Sequence, residues 1–162
     1  MKKITAVYPG TFDPVTYGHL DIIERASSLF DKIIVTIALN TNKIPMFTKE
    51  DRKDMLVNVT KKFDNVVVDD FSGLLVDYVL KKKASVIIRG LREVSDFEYE
   101  FQMSLTNRKL SPSITTIFLM PNEKYTYLNS SLIRELSSFK ADVRSFVPAY
   151  VLKKLKQKFE GE

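Results

Sequence analysis

The sequence contains no cysteine. That excludes a disulfide framework and any thiolate metal centre, so a bound metal would rely on oxygen ligands, and a reducing compartment is compatible with the chain. There is one histidine, His19. No apolar run approaches the roughly 18 residues of a membrane span. The first one, Ile4 to Tyr8, is too short for the apolar region of a secretory signal. A cytoplasmic location with no membrane partner is expected. Stretches rich in Pro, Gly and Ser, internal repeats and low-complexity segments are also missing, which leaves no sequence basis for a linker or a disordered arm.

What remains is a globular composition, 44% hydrophobic against 28% charged over 162 residues. Domains cluster at roughly 100–150 residues, so one domain over residues 1–162 is expected, with a substantial core. The net charge is +5. Much of the excess lies in Lys81, Lys82 and Lys83 and in Lys153, Lys154, Lys156 and Lys158. These fit the solvated faces of amphipathic helices, and no aromatic platform interleaves them, so no nucleic-acid partner is expected.

Five short runs rich in β-branched residues recur at Ile4–Tyr8, Ile33–Ala38, Val66–Val68, Val86–Ile88 and Thr115–Met120. Helix-length segments separate most of them. The spacing predicts helices over Leu20–Phe30, Lys49–Phe63, Gly73–Lys83, Phe97–Lys109, Leu132–Leu136 and Pro148–Phe159. Such alternation implies an α/β fold, a single Rossmann-like domain with a five-stranded parallel sheet and helices on both faces. In the first crossover, Ile22, Ile23, Ala26, Leu29 and Phe30 share one face at helical spacing and should pack on the sheet. Ligands of open parallel sheets bind beyond the carboxyl ends of the strands, where strand order reverses. The residues after each strand are therefore the candidates for chemistry.

After the first strand comes Pro9-Gly10-Thr11-Phe12-Asp13-Pro14, with a helix opening near Gly18-His19. Glycines permit close backbone approach, and a helix N-terminus offers unpaired N–H groups, so a phosphate fits here. The same residues also fit a plain turn, in which Thr11 and Asp13 satisfy local hydrogen bonds and His19 merely starts a helix. A helix terminus contributes only about 0.3–1 kcal/mol at an exposed site, against roughly 2.7–4 kcal/mol for a positioned donor to a transition-state oxyanion. If chemistry occurs here, His19 has to do more than cap.

The run Tyr8 to Pro14, followed by Thr16-Tyr17-Gly18-His19, resembles the T-x-G-H form of the nucleotidylyltransferase signature. More narrowly, the chain resembles the bacterial phosphopantetheine adenylyltransferases along nearly its whole length. The likeness continues through Lys43 to Thr48, Ile88-Arg89-Gly90-Leu91-Arg92, Asp96 to Glu100, Phe118 to Pro121 and Asn129-Ser130-Ser131-Leu132-Ile133-Arg134. The resemblance implies transfer of AMP from ATP to 4′-phosphopantetheine, giving dephospho-coenzyme A and pyrophosphate in coenzyme A synthesis. It also implies Mg²⁺ and a homohexamer.

By the same resemblance His19, Lys43 and Arg92 are the expected catalytic residues. Thr11, Phe12, His19, Gly90, Leu91, Arg92 and Glu100 would contact ATP, together with the turn Tyr125-Thr126-Tyr127-Leu128-Asn129-Ser130-Ser131. Thr11, Lys43, Leu75 and Arg89 would contact the acceptor. Each has a plainer reading from the residues alone: a solvated lysine, arginines bridging Glu93, Asp96 or Glu98, an exposed helical acid at Glu100, and core leucines at 74 and 75. Asn129 or either serine fits an N-cap. Leu128-Asn129 departs from the family's common I-S-S-S pattern, which puts in question any contact made by a hydroxyl at position 129. With no cysteine and an acceptor phosphate already anionic at neutral pH, direct attack on the α-phosphorus is expected, and positioning should dominate. The competing readings are a relative acting on another phosphorylated acceptor and a noncatalytic nucleotide-binding module.

Overall fold

A computed structural model describes residues 3–39, 42, 44–92 and 94–161. Its strands are β1 (Thr5–Gly10), β2 (Lys32–Ala38), β3 (Val66–Phe71), β4 (Val86–Gly90) and β5 (Thr115–Leu119). The helices are α1 (Tyr17–Leu29), α2 (Lys49–Thr60), α3 (Leu75–Lys81), α4 (Val94–Leu110), α5 (Ser130–Ser138) and α6 (Ala149–Glu160), with a short 3₁₀ turn at Glu123–Tyr125. The strands form one parallel sheet in the order β3-β2-β1-β4-β5. The expected α/β architecture is present.

Period-two alternation assigns the core to two sides of the sheet. Ala6, Tyr8, Ile33, Val35, Ile37, Val86 and Ile88 join the larger cluster, which α1, α2, α5 and α6 complete with Ile22, Ile23, Met55, Leu56, Ile133, Val151 and Leu155. Val7, Ile34 and Ile87 point the other way, into a smaller cluster with Val76 and Val79 of α3. Leu29, expected on the sheet-facing stripe of α1, is instead 62% exposed. It is the last residue of the helix, and Phe30, whose N–H returns to the Ala26 carbonyl at 3.1 Å, turns in its place against the core.

Other boundaries differ for local reasons. β3 runs three residues beyond Val68 because Asp69 and Asp70 find cations at the sheet edge: Lys82 at 2.6 Å from Asp69, and Lys53 at 3.0 Å from Asp70. α3 is shorter than the expected span from Gly73 to Lys83, since Gly73 (φ 89°) and Lys83 (φ 55°) adopt left-handed backbone that a right-handed helix does not contain. β4 includes Arg89 and Gly90, so those two residues belong to the strand end and not to the loop after it.

β1 leads outward through β2 to β3, whereas β4 lies on its other side. The reversal therefore falls between β1 and β4, and their carboxyl ends diverge to leave a crevice. At its base, Phe12 takes a left-handed conformation (φ 49°) and buries its ring against Tyr8 and His19, with centroids 5.5 and 5.1 Å apart. The ring also covers Gly10, where a Cβ would come within 2.9 Å of it. Gly10→Ala should therefore displace a buried ring and lower the unfolding free energy by about 1–3 kcal/mol. Urea unfolding measures this, and an unchanged midpoint would contradict the packing described.

Candidate active site

The crevice is a cavity of about 780 Å³ built from the ends of β1 and β4, the start of α1, the approach to α2, and the start of α5. Its polar lining includes Thr11, Asp13, His19, Arg52, Arg89, Arg92, Asp96, Glu100, Ser130, Ser131 and Arg134. The first turns of α1 and α5 both open into it, and their leading amides lack intrahelical acceptors. Four guanidiniums and two positive helix ends thus face one volume. The arrangement suits a polyanion.

His19 is held by a capping box. The Thr16 hydroxyl oxygen accepts from the His19 amide at 3.4 Å, and the His19 Nδ1 accepts from the Thr16 amide at 3.1 Å. The Thr16 hydroxyl lies 3.1 Å from Nδ1 as well. An N–H directed at Nδ1 requires that nitrogen to be unprotonated, so the ring proton resides on Nε2. Burial, aided by the charge of Arg92, lowers the His19 pKa to about 4. Near neutral pH the residue is a neutral imidazole with one N–H for the cavity. It is a cap and a donor at once.

The arginines differ in what restrains them. Arg89 makes a bidentate pair with Glu100 at 2.7 and 2.5 Å and also donates to the Pro9 carbonyl at 3.4 Å. Burial opposes its charge, but the hydrogen bonds and charge of Glu100 more than offset this and hold its pKa above the ordinary arginine value. Burial likewise raises the pKa of the neighbouring Tyr8 hydroxyl, against the pull of Arg89 and Arg92. Arg92 bridges Asp96 at 3.2 Å and donates to the Leu128 carbonyl at 3.1 Å. The ion pair expected from position 89 therefore forms with Glu100, and Arg92 takes Asp96.

Asp13 is 3% exposed, and its carboxylate accepts from the amides of Met46 (2.8 Å) and Phe47 (2.9 Å). Arg134 donates to the Asp13 carbonyl at 2.6 Å and approaches its carboxylate at 3.6 Å. The turn hydrogen bonds expected of Asp13 thus reach other segments of the chain. Ser130 donates to the Pro14 carbonyl at 2.8 Å, and Asn129 caps α5 by accepting from the Leu132 amide at 2.8 Å. The carboxamide thereby supplies the cap at the position where the hydroxyl was in question.

Thr11, Phe12, His19, Arg89, Gly90, Arg92, Glu100, Asn129, Ser130 and Ser131 all line this cavity. Other expected residues stand elsewhere. Leu91 follows β4 and donates its amide to the Leu119 carbonyl at 3.0 Å. Leu128 is buried in the larger core cluster, Tyr125 stacks on Tyr17, Thr126 bonds the Glu123 carbonyl, and Tyr127 is exposed with its ring edge toward Phe146. This turn carries Asn129 and its two serines into place. Leu75 packs against the smaller cluster across the sheet, and Lys43 lies outside the described residues.

Arg52 and Arg134 reach the site without having been singled out as site residues, and Asp13, expected only as part of the first turn, lines it as well. Arg134 had a signal, being four residues after Ser130 and so on the same helix face. Arg52 had none, since nothing in a helical sequence identifies an arginine that turns inward. Among the described residues no group of three or more His, Asp or Glu is arranged to hold a metal ion. The nearby carboxylates are already engaged, by amides at Asp13 and by arginines at Asp96 and Glu100.

A parallel sheet with a T-x-G-H helix start and an arginine-lined crevice at its reversal defines a nucleotidyltransferase, and the cytidylyltransferase-like family matches residues 7–136. A phosphopantetheine adenylyltransferase from Caldanaerobacter subterraneus subsp. tengcongensis is 56% identical over 96% of this chain and 97% of its own length. One from Clostridium perfringens is 49% identical over 96% and 94%. The chain belongs to the phosphopantetheine adenylyltransferase family. In fold it also matches a solved nicotinic acid mononucleotide adenylyltransferase from Plasmodium falciparum, with a TM-score of 0.70 and 15% identity over 99% of this chain and 100% of that one.

The charge of His19 has a direct readout. Proton resonances of its ring, the only imidazole in the chain, should titrate with a midpoint near 4 and not near the ordinary 6.5. Because the unfolded chain then binds the extra proton between those values, His19 should destabilise the fold as pH falls through 6.5 toward 4. A midpoint at 6 or above would contradict the buried, capped ring.

Proposed function

We propose that this chain transfers the adenylyl group of ATP to 4′-phosphopantetheine, forming dephospho-coenzyme A and pyrophosphate, and that the chemistry takes place in the crevice between β1 and β4. The observation that carries the assignment of the site is His19, fixed by Thr16 as a neutral donor inside a cavity surrounded by arginines. An acceptor phosphate oxygen attacks the α-phosphorus as the bond from that phosphorus to the pyrophosphate oxygen breaks. No proton has to leave the attacker, which is an anion at neutral pH.

In this reading the His19 Nε2–H donates to a non-bridging α-phosphate oxygen and stabilises the charge that grows there. A neutral donor is suited to the task, because it gives a directed hydrogen bond without binding ground-state phosphates indiscriminately. Arg92, with the start of α5 at Ser130 and Ser131, receives the remaining ATP phosphates. Arg89 and Lys43 receive the acceptor phosphate, with Arg89 aimed by Glu100. Mg²⁺ is proposed to accompany ATP, whose phosphate oxygens supply hard ligands. Among the described residues no cluster of carboxylates forms a cage for the ion.

We also propose a cytoplasmic homohexamer. No helix among the described residues is long and apolar enough to cross a membrane. Support for assembly comes from α4, where Phe97, Phe101 and Leu105 form an i, i+4, i+8 stripe, each 45–47% exposed, with the two phenyl rings stacked at 5.5 Å. An apolar stripe of that kind fits a second copy of the chain.

Purified protein supplied with ATP, Mg²⁺ and either 4′-phosphopantetheine, nicotinate mononucleotide or glycerol phosphate should release pyrophosphate with the first alone. Release with another acceptor, or none, would defeat the assignment. His19→Ala should lower kcat at least a hundredfold with the fold intact, and a loss under tenfold would remove His19 from the chemistry. Phe101→Glu should shift the mass measured by light scattering from six copies to fewer, and an unchanged hexamer would place the contact elsewhere.

A further inference from the structure

Arg52 is the least compensated buried charge in the described molecule. Its residue is 4% exposed, yet it lines the cavity. It donates to two carbonyls, of Thr11 at 2.9 Å and of Thr48 at 3.4 Å. Among the described residues no carboxylate comes within 4.0 Å of it, whereas Arg89, Arg92 and Arg134 each have an acidic partner. Asp13 and Glu50 attract it only from farther away, and burial outweighs them, lowering its pKa from the ordinary arginine value. Carbonyl dipoles satisfy hydrogen-bonding groups but do not neutralise a charge. A buried cation facing an open cavity is stabilised when an anion enters.

The contact with Thr11 gives the charge a second consequence. Arg52 stands on α2, and its guanidinium reaches across to the turn after β1, where Thr11 leads directly into the buried Phe12 that packs on His19. An anion that draws Arg52 therefore also bears on the turn that presents His19. Arg52 stands on α2, the helix that follows β2. β2 flanks β1 on the side opposite β4, whose end leads to Arg92.

We propose that Arg52 is a positioning residue for adenylyl transfer, whose buried, unneutralised charge is completed by the phosphate of the acceptor and whose hydrogen bond to Thr11 fixes the turn in which Phe12 packs on His19. The proposal rests on the acceptor being 4′-phosphopantetheine. It extends that reading to a residue that makes α2 part of acceptor recognition. ATP and acceptor should then respond differently to changes at position 52.

The test compares the full-length protein with Arg52→Lys, which keeps the charge, and Arg52→Met, which keeps much of the length without it. Kinetics and binding of 4′-phosphopantetheine and of unphosphorylated pantetheine are measured by calorimetry. Arg52→Met should raise the KM for 4′-phosphopantetheine about tenfold or more, as expected for losing a charge-assisted contact, and change the KM for ATP less than threefold. It should also erase most of the preference for the phosphorylated ligand, and Arg52→Lys should restore a substantial part of it. A purely structural arginine would instead lower the melting temperature in both variants and leave the KM ratio and the phosphate preference as in the parent; that result would overturn the proposal. If the parent protein binds 4′-phosphopantetheine no better than pantetheine, the acceptor assignment itself fails. Inorganic pyrophosphate then serves as the probe, and equal binding by parent and Arg52→Met would dismiss the anion-completing role of Arg52 separately.

Discussion

Asp13 ties together three segments that the sequence keeps far apart, through its carboxylate and its backbone carbonyl. The carboxylate oxygens take the amides of Met46 and Phe47, and Arg134 of α5 closes on the carbonyl. Buried amides left without acceptors would each be unfavourable by about 1–3 kcal/mol, so the tie is strongly selected once the core has formed. It fixes the turn after β1 against the approach to α2 and against α5. Those are the segments that carry His19, Arg52 and the two serines. The crevice keeps its shape because the loops that bound it are bonded to one another as well as to the sheet.

Within that frame, charge is distributed unevenly. Arg89 is held by Glu100 through two of its nitrogens and is therefore a rigid fork, aimed before any ligand arrives with N–H groups still to give. Arg92 is shared between Asp96 and a backbone carbonyl, and Arg52 has carbonyls alone. His19 stays neutral because burial and Arg92 both act against its protonation. The site thus contains fixed guides, one incompletely balanced cation, and a neutral donor, in surroundings where each interaction is stronger than in water. Such a set suits displacement between two anions, whose mutual repulsion has to be offset before they meet.

Much of the fold was legible in the sequence, because period-two runs at β1, β2 and β4 divide their residues cleanly between the two core clusters. The T-x-G-H helix start was legible as well, and its capping box gives Thr16 and His19 a physical reason to stand three residues apart. What escaped sequence reasoning depended on distant geometry. Nothing local distinguishes Arg52 from a solvated helical arginine, and the reach of Asp13 to Met46 is a property of loops brought together by the sheet. Leu128, expected from the resemblance as a ligand contact, is drawn into the core, while Tyr127 stays exposed. The pairing of Arg89 with Glu100 and not with the acids nearest in sequence follows from Arg89 belonging to the strand.

The central claim is that this site works by holding two phosphates in line, with His19 as donor and no protein atom bonded to phosphorus. The capped Nδ1 of His19 supports this, since it is engaged by Thr16 and leaves the ring to act through its N–H. The stereochemical course at the α-phosphorus tests it most directly. With ATP chiral at that phosphorus, carrying one sulfur in place of a non-bridging oxygen, the account predicts that dephospho-coenzyme A forms with inversion of configuration. Retention would require two successive displacements through a covalent enzyme intermediate, and would contradict it.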